Sequence, residues 1–376
     1  LFIFEQKTVH VMSHPHTIWI NETTGIVEAT DQRWLPFRND IFQIRTLDDA
    51  YFAIREMVVR GAPLIGVTAA YGLYVAACNF EEGDFSGYMS EAGEYLKISR
   101  PTAVNLAFAV DEALTHVCAE YSPEENAERL LAYAESLKRR EIEYSTQIGC
   151  NGLELIRGIS KKKGGSVVNI LTHCNAGRLA TIELGTATAP IYLAYEENIP
   201  IHVWVDETRP RNQGARLTAF ELAEAGIPHT VVPDNVGGHL MQHGMVDLVL
   251  VGSDRTTLNG DVANKIGTYL KALAAADNQI PFYVALPSTS IDWEISDGLT
   301  GIPIEQRDPR EVTHMVGLRK GQIAEVQILS DLSPAANYGF DVTPARLVTG
   351  LITERGICQA SKEGILSLFP EKNIRT

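Results

Sequence analysis

Five short apolar runs in the second half of the chain each lead into side chains that can bind or react. Residues 167–171 lead into Thr172-His173-Cys174-Asn175-Ala176-Gly177, and 201–205 into Asp206-Glu207-Thr208-Arg209-Pro210. Residues 230–232 lead into Pro233-Asp234-Asn235, 248–251 into Gly252-Ser253-Asp254-Arg255, and 282–286 into Pro287-Ser288-Thr289-Ser290. Four of the five exits carry Asp, Cys or Arg, so the reactive types cluster where the runs end. Cys174 and Asp254 leave two different runs; a thiol and a carboxylate facing one ligand are a proton-transfer pair. Taken singly, each has a plainer meaning: a buried thiol is ordinarily an inert core group, and an Asp at a strand end is ordinarily a helix cap.

The runs are rich in β-branched residues and short enough to be buried strands. Helical patterns lie between them, at 214–224 and 264–276, so the texture is strand, helix, strand, as in a parallel sheet of βαβ units. Ligands of such sheets bind beyond the carboxyl ends of the strands, where the five exits lie. The fold expected is α/β, with a Rossmann-like doubly wound parallel sheet over residues 151–376. A smaller mixed α+β domain over 1–150 precedes it. There, 17–20 and 25–28 suggest a hairpin. Leu47, Tyr51, Ile54 and Val58 mark one face of an amphipathic helix. Arg60-Gly61-Ala62-Pro63 interrupts it, and Pro63 suits the first position of a new helix through Ala70. Further helices are expected at 102–118 and 123–136, and Lys161-Lys162-Lys163-Gly164-Gly165 reads as a solvated loop before the second domain.

Composition narrows the function classes. The 376 residues are 45% hydrophobic and 21% charged, an ordinary globular balance rather than a disordered one. A net charge of −15 disfavours nonspecific binding to nucleic acid or anionic membrane. No apolar run approaches the ~20 residues of a membrane span, and the opening Leu1–Phe4 is too short to read as a signal peptide. Five scattered cysteines, an odd number, read as reduced thiols of a cytoplasmic protein. No Gly-x-Gly-x-x-Gly follows a strand, which argues against a dinucleotide. Gly260-Asp261-Val262-Ala263-Asn264-Lys265 has the outline of a phosphate loop but lacks the glycine before the lysine. His239 and His243 have helical metal spacing, yet Leu240 stands where a zinc hydrolase needs Glu. His14 and His16 in a Pro-containing loop are read as inert.

Four segments, taken in order, resemble one family. They are Arg60-Gly61-Ala62-Pro63, then Leu171-Thr172-His173-Cys174-Asn175-Ala176-Gly177, then Glu207-Thr208-Arg209-Pro210-Arg211-Asn212-Gln213-Gly214. The last is Gly252-Ser253-Asp254-Arg255 with Asn259-Gly260-Asp261-Val262-Ala263-Asn264-Lys265-Ile266-Gly267-Thr268. The set resembles the methylthioribose-1-phosphate isomerases, relatives of the regulatory subunits of translation initiation factor 2B and of ribose-1,5-bisphosphate isomerases. The likeness runs from Asp31-Gln32-Arg33 to Asp341-Val342-Thr343-Pro344. It implies a homodimer with no metal or organic cofactor that converts 5-methylthioribose 1-phosphate to its ketose in methionine salvage. Departures stand at Arg178, at Ile182-Glu183-Leu184-Gly185 in place of a Gly-Tyr-Gly stretch, and at Ser253 in place of Ala. They leave the pair Cys174 and Asp254 intact and bear on the sugar. A 5-deoxyribose 1-phosphate isomerase, a ribose-1,5-bisphosphate isomerase with Arg178 on the second phosphate, and a noncatalytic regulatory subunit are the alternatives.

The resemblance implies Asp254 as proton donor to the ring oxygen of a sugar that its C1 phosphate keeps closed. Acting so, Asp254 must be held protonated by burial. Cys174 would be a base at C2 or a group that stabilises the transition state, and a hydride shift and an enediolate route both fit. Arg60 and Arg100, with the helix-opening amides near Gly61 and Ala62, would cradle the phosphate. Gln213, Asn264 and Lys265 would bond the hydroxyls and the phosphate, with Asn264 and Lys265 expected at the opening of a helix.

Overall fold

The computed structural model describes residues 16–100 and 104–375, so His14, Pro101 and Thr102 lie outside the described residues. A three-stranded antiparallel sheet opens the chain: β1 (Ile18–Ile20), β2 (Val27–Asp31) and β3 (Asp40–Ile44). The expected hairpin is β1 on β2, with Ile20 opposite Val27. Helix α1 (Leu47–Arg55) starts at a reciprocal cap: the Thr46 hydroxyl accepts from the Asp49 N–H, and the Asp49 carboxylate accepts from the Thr46 N–H.

Helix α2 (Ala62–Cys78) continues past Ala70 and is buried on almost every side, as a helix apolar all round must be. It is the centre of the N-terminal core, packed among α3 (Phe85–Lys97), α4 (Val104–Leu114) and α5 (Pro123–Lys162). The α5 pattern does not stop at 136. It runs 40 residues, about 60 Å at 1.5 Å per residue, across the 150/151 boundary and through Lys162, while Lys163-Gly164-Gly165 form the turn that follows it. Its first half packs on α2. Its second half carries Gly149 and Gly152, and a Cβ on Gly152 would lie 2.4 Å from Pro190. Those glycines let α6 (Ala189–Glu196) lie directly against it.

The second half is the expected parallel sheet. In chain order come β4 (Val168–Thr172), β5 (Ile201–Asp206), α7 (Ala219–Glu224), β6 (His229–Val232), α8 (Gly237–Gln242) and β7 (Leu248–Val251). There follow β8 (Arg255–Thr257), β9 (Val262–Lys265), α9 (Thr268–Asp277), β10 (Phe282–Ala285) and β11 (Ile291–Asp292). The chain ends through β12 (His314–Arg319), β13 (Gln322–Gln327), β14 (Phe340–Thr343), β15 (Gly350–Thr353) and β16 (Gly356–Cys358).

The seven-stranded order is β16-β15-β10-β7-β4-β5-β6, parallel except for the edge strand β16. The order reverses between β4 and β7. That switch point is where a doubly wound sheet opens a crevice for ligand. A smaller sheet, β11-β8-β9-β14, was not legible in the sequence. It overturns the helix expected over 264–276. Asn264 and Lys265 end β9, which pairs with both β8 and β14. Gly267, at φ +102°, turns the chain, and α9 begins only at Thr268. No described helix is long and apolar enough to cross a membrane.

Candidate active site

Cys174 follows β4 and Asp254 follows β7, so the two exits flank the switch point, and both residues line one cavity with about 600 Å³ of empty space. Arg60, Gly61, Ala62, Arg100, Gln213, Asn264 and Lys265 line it too, so all nine sequence-derived site residues meet there.

Cys174 stands in the left-handed region at φ +64°, a conformation that a non-glycine residue keeps only when its surroundings fix it. Here the Thr208 hydroxyl accepts from the Cys174 N–H at 2.7 Å, and the Thr218 hydroxyl donates to the Cys174 carbonyl at 2.7 Å. Burial pushes the thiol above its usual range, against the pull of Arg60 and Lys265, so its resting form at neutral pH is the thiol. Burial also raises the Asp254 carboxyl, with Lys265, Arg100 and Arg60 acting in the opposite direction.

Three cations share this space with that one carboxyl. The Arg60 guanidinium donates to the side chain and the carbonyl of Asn175, both at 2.5 Å. Asn175 is held by Thr218 and by Glu221, a buried carboxylate that also accepts from the N–H groups of Arg178 and Leu179. Lys265 donates to the Gly339 carbonyl at 3.0 Å and lies over the Phe340 ring; burial lowers its pKa. Arg100 is 5% exposed; its Nε pairs with a Glu305 carboxylate oxygen at 3.3 Å, while its Nη1 has no hydrogen-bond partner among the described residues. Such an orphan donor is costly unless a ligand meets it.

The N-terminus of α2 adds main-chain donors. It has no side-chain cap, and Gly61, Ala62 and Pro63 face the cavity. Gly61 is required where it is: its φ is +94°, and a Cβ would lie 2.3 Å from the Ala180 carbonyl oxygen. Pro63 is the second residue of the helix rather than the first. Gln213 is buried with its carbonyl oxygen unpartnered, and the Asn264 amide donates to Thr268 at 3.0 Å.

The remaining residues divide into wall and scaffold. Arg178 pairs with Glu224 at 3.1 Å and is not part of the cavity wall. In the departing stretch, Ile182 packs into the N-terminal core and Glu183 bonds His16. Asp206 is fully buried beneath the site, against His173 and Lys271. Arg209 and Arg211 bond Val312 and Glu311. His173, Asp206 and Asp234 form a group of metal-ligand type among the described residues. The Lys271 ammonium sits 3.1 Å from Asp206, and both His173 ring nitrogens are engaged, by Asp206 and by the Ile266 carbonyl. Lys271 thus already gives the group a cation. The His239 and His243 rings pack against each other at a tilt, with centroids 4.2 Å apart, at the end of α8.

Sequence reasoning did not assign roles to Asn175, Glu305 and Phe340. Asn175 stood in a quoted exit, but its partner Arg60 is 115 residues away; Glu305 had no local signal at all.

With this geometry in hand, known proteins fix the kinship. The initiation factor 2 subunit family matches residues 58–360. Methylthioribose-1-phosphate isomerase of Desulfosudis oleivorans is 56% identical over 94% of this chain and 97% of its own. That of Sinorhizobium medicae is 56% identical over 96% and 98%. Among solved structures, 5-methylthioribose 1-phosphate isomerase from Pyrococcus horikoshii superposes with a TM-score of 0.81 at 35% identity, covering 96% of this chain and 97% of the other. The translation initiation factor eIF-2B subunit delta from A. fulgidus superposes at 0.76 and 35%, covering 95% and 100%. The chain therefore belongs to the initiation factor 2 subunit family and groups within it with the methylthioribose-1-phosphate isomerases.

Proposed function

We propose that this protein is an aldose–ketose isomerase that converts 5-methylthioribose 1-phosphate to 5-methylthioribulose 1-phosphate in methionine salvage. One observation carries the reading: a buried thiol and a buried carboxyl share a cavity with three cations, and one of these, Arg100, keeps its Nη1 without a hydrogen-bond partner among the described residues. Such a cavity calls for an anion. Arg60, Arg100, Lys265 and the α2 amides take the C1 phosphate. Asp254 gives its proton to the ring oxygen, and the C1–O4 bond breaks. Hydrogen then passes from C2 to C1 while the C2 hydroxyl returns a proton to Asp254. No oxidant is consumed, because C1 gains the two electrons that C2 loses. Burial keeps Cys174 as thiol, which favours a direct hydride shift over abstraction by a thiolate. Gln213 and Asn264 bond the hydroxyls. Incubating the purified protein with 5-methylthioribose 1-phosphate tests the reading, and failure to form ketose refutes it.

A noncatalytic regulatory role has the eIF-2B likeness in its favour. Retention of both Cys174 and Asp254, converging on one cavity, weighs for the enzyme.

The cradle yields a second measurement. Charge-assisted contacts contribute roughly 1.5–3 kcal/mol each, or about 10- to 10²-fold in affinity. Arg100→Met and Arg60→Ala are therefore expected to raise KM by about that much, with weaker calorimetric binding of a substrate analogue. Unchanged binding in both variants, and in Lys265→Ala, would place the phosphate elsewhere.

We further read the active species as a cytoplasmic homodimer that needs no metal. Light scattering is expected to give about twice the 41.3 kDa chain mass, and activity is expected to survive chelation. A monomer, or loss of activity with chelator, would contradict this.

A further inference from the structure

We propose that Arg33, Arg211 and Arg216 form a cationic throat through which the substrate's phosphate passes between solvent and the buried cavity. The proposal rests on the reading of the ligand as a sugar phosphate and adds its route. A second space lies behind Arg60. Met57, Arg60 and Gln213 are also walls of a second cavity, with about 290 Å³ of empty space, which Gln32, Arg33, Arg211 and Arg216 help to enclose. Those three arginines in turn line a third cavity, with about 1810 Å³ of empty space, which Trp34 also borders. The three spaces are therefore neighbours, with Met57, Arg60 and Gln213 standing between the first two and the three arginines between the second and third, and passage requires these side chains to swing aside.

The middle space has four arginines in its wall and no carboxylate. Two of them are partly neutralised from outside it, Arg33 by Asp31 at 2.7 Å and Arg211 by Glu311 at 2.8 Å. Arg216 differs. Its guanidinium donates to two main-chain carbonyls, Leu35 at 3.0 Å and Arg33 at 2.5 Å, and lies near the Phe37 ring. It has no carboxylate within ion-pair distance among the described residues. Burial lowers its pKa to about 10, with Arg211 pushing the same way, so at neutral pH it remains a cation. In a chain of net charge −15, an uncompensated guanidinium beside a narrow passage makes a local field that favours an anion inside the passage. The throat opens beside Arg60 on the phosphate side of the site. The buried carbonyl oxygens of Gln32 and Gln213, unpartnered on the same walls, can accept from the sugar hydroxyls as they pass.

A transit site has a kinetic signature that a ligand of the bound state lacks: it lowers the barrier to entry and to exit alike. Binding of 5-methylthioribose 1-phosphate would be followed by stopped-flow tryptophan fluorescence in Asp254→Asn protein, whose turnover is expected to be on the order of 10²-fold slower or more. In that background Arg216→Gln is expected to lower kon about 5- to 10-fold at low salt and koff by a similar factor. Kd should stay within about 2-fold, and the difference in kon should shrink as ionic strength rises. Arg216→Lys keeps the charge and is expected to restore most of kon, which separates charge from local packing. Lys161→Gln, an exposed charge on α5, should change nothing. Unchanged rate constants in Arg216→Gln overturn the throat, and so does a rise in koff alone, which would make Arg216 a ligand of the bound phosphate. Ketose formation by wild type checks the substrate reading separately. Ketose with unaltered rates refutes the throat alone, whereas no ketose and no binding refutes both.

Discussion

Asp254→Asn is expected to cut turnover by on the order of 10²-fold or more, the usual size of a lost general acid, and Cys174→Ala to do so by a similar factor. Asn fills the volume of Asp and keeps its polarity but has no proton of suitable acidity to give. Both variants should fold, because neither side chain is part of the hydrogen-bond scaffold. Cys174 is tied through its main chain to Thr208 and Thr218, and the Asp254 N–H donates to the Ala263 carbonyl. The pH profile carries the sign. Burial raises the Asp254 pKa, so the acid form persists above the ordinary carboxyl range and the rate falls as pH climbs through that raised value. Asp254→Asn should lose this limb. A thiolate base at Cys174 would give the opposite trend, with the rate rising through the elevated thiol pKa at alkaline pH. Product formed in deuterium oxide decides between the routes. A hydride shift leaves C1 free of solvent deuterium, and exchange at an enediolate puts it there. Near-normal turnover in either variant would remove that residue from the chemistry.

The chemistry was legible because parallel strands announce themselves. Residues 248–251 are a continuous apolar run and 167–171 one broken only by Asn169, as suits strands covered on both faces, and their ends fall within a residue of β4 and β7. Whatever follows such a strand faces the crevice, so Cys174 and Asp254 could be paired without knowing any contact. What could not be read depended on distance or on competition between local signals. The alanine-rich stretch of α9 extends its helical pattern backwards over Asn264 and Lys265, and only pairing with β8 and β14 pulls them into a strand. The 40-residue α5 hides behind its exposed charged face and its glycines, whose purpose lies in α6. Arg60 could be assigned to the phosphate from its motif, but its two bonds to Asn175 join the N-terminal core to the β4 exit, a relation between elements that no local window contains. The throat has the same character, since its arginines come from the loop after β2 and from the segment after β5.

The largest discrimination is expected against a second phosphate. Ribose 1,5-bisphosphate should have a kcat/KM at least about 10³-fold below that of 5-methylthioribose 1-phosphate, since burying an unpaired charge costs several kcal/mol. The C1 phosphate occupies Arg60, Arg100 and Lys265, and the throat opens on that same side, beside Arg60. Elsewhere the wall includes Ala176, Ala180 and Pro287, which offer a charged C5 group no counter-ion. Arg178, the one residue whose position in the sequence suggested a second phosphate site, is turned to Glu224 instead. Among uncharged sugars the same wall is permissive. A methylthio group adds about two methylene-sized units over a plain methyl, at about 0.8 kcal/mol each, so 5-deoxyribose 1-phosphate should trail by no more than about 10²-fold. Measuring kcat/KM for the three sugars in wild type and in Arg178→Ala puts this to the test. A wild-type preference for the bisphosphate that Arg178→Ala abolishes would require the Arg178–Glu224 pair to open and the C5 end to lie against it. The same preference surviving in Arg178→Ala but lost in Arg216→Gln would mean that the sugar sits reversed, with its C5 phosphate in the throat.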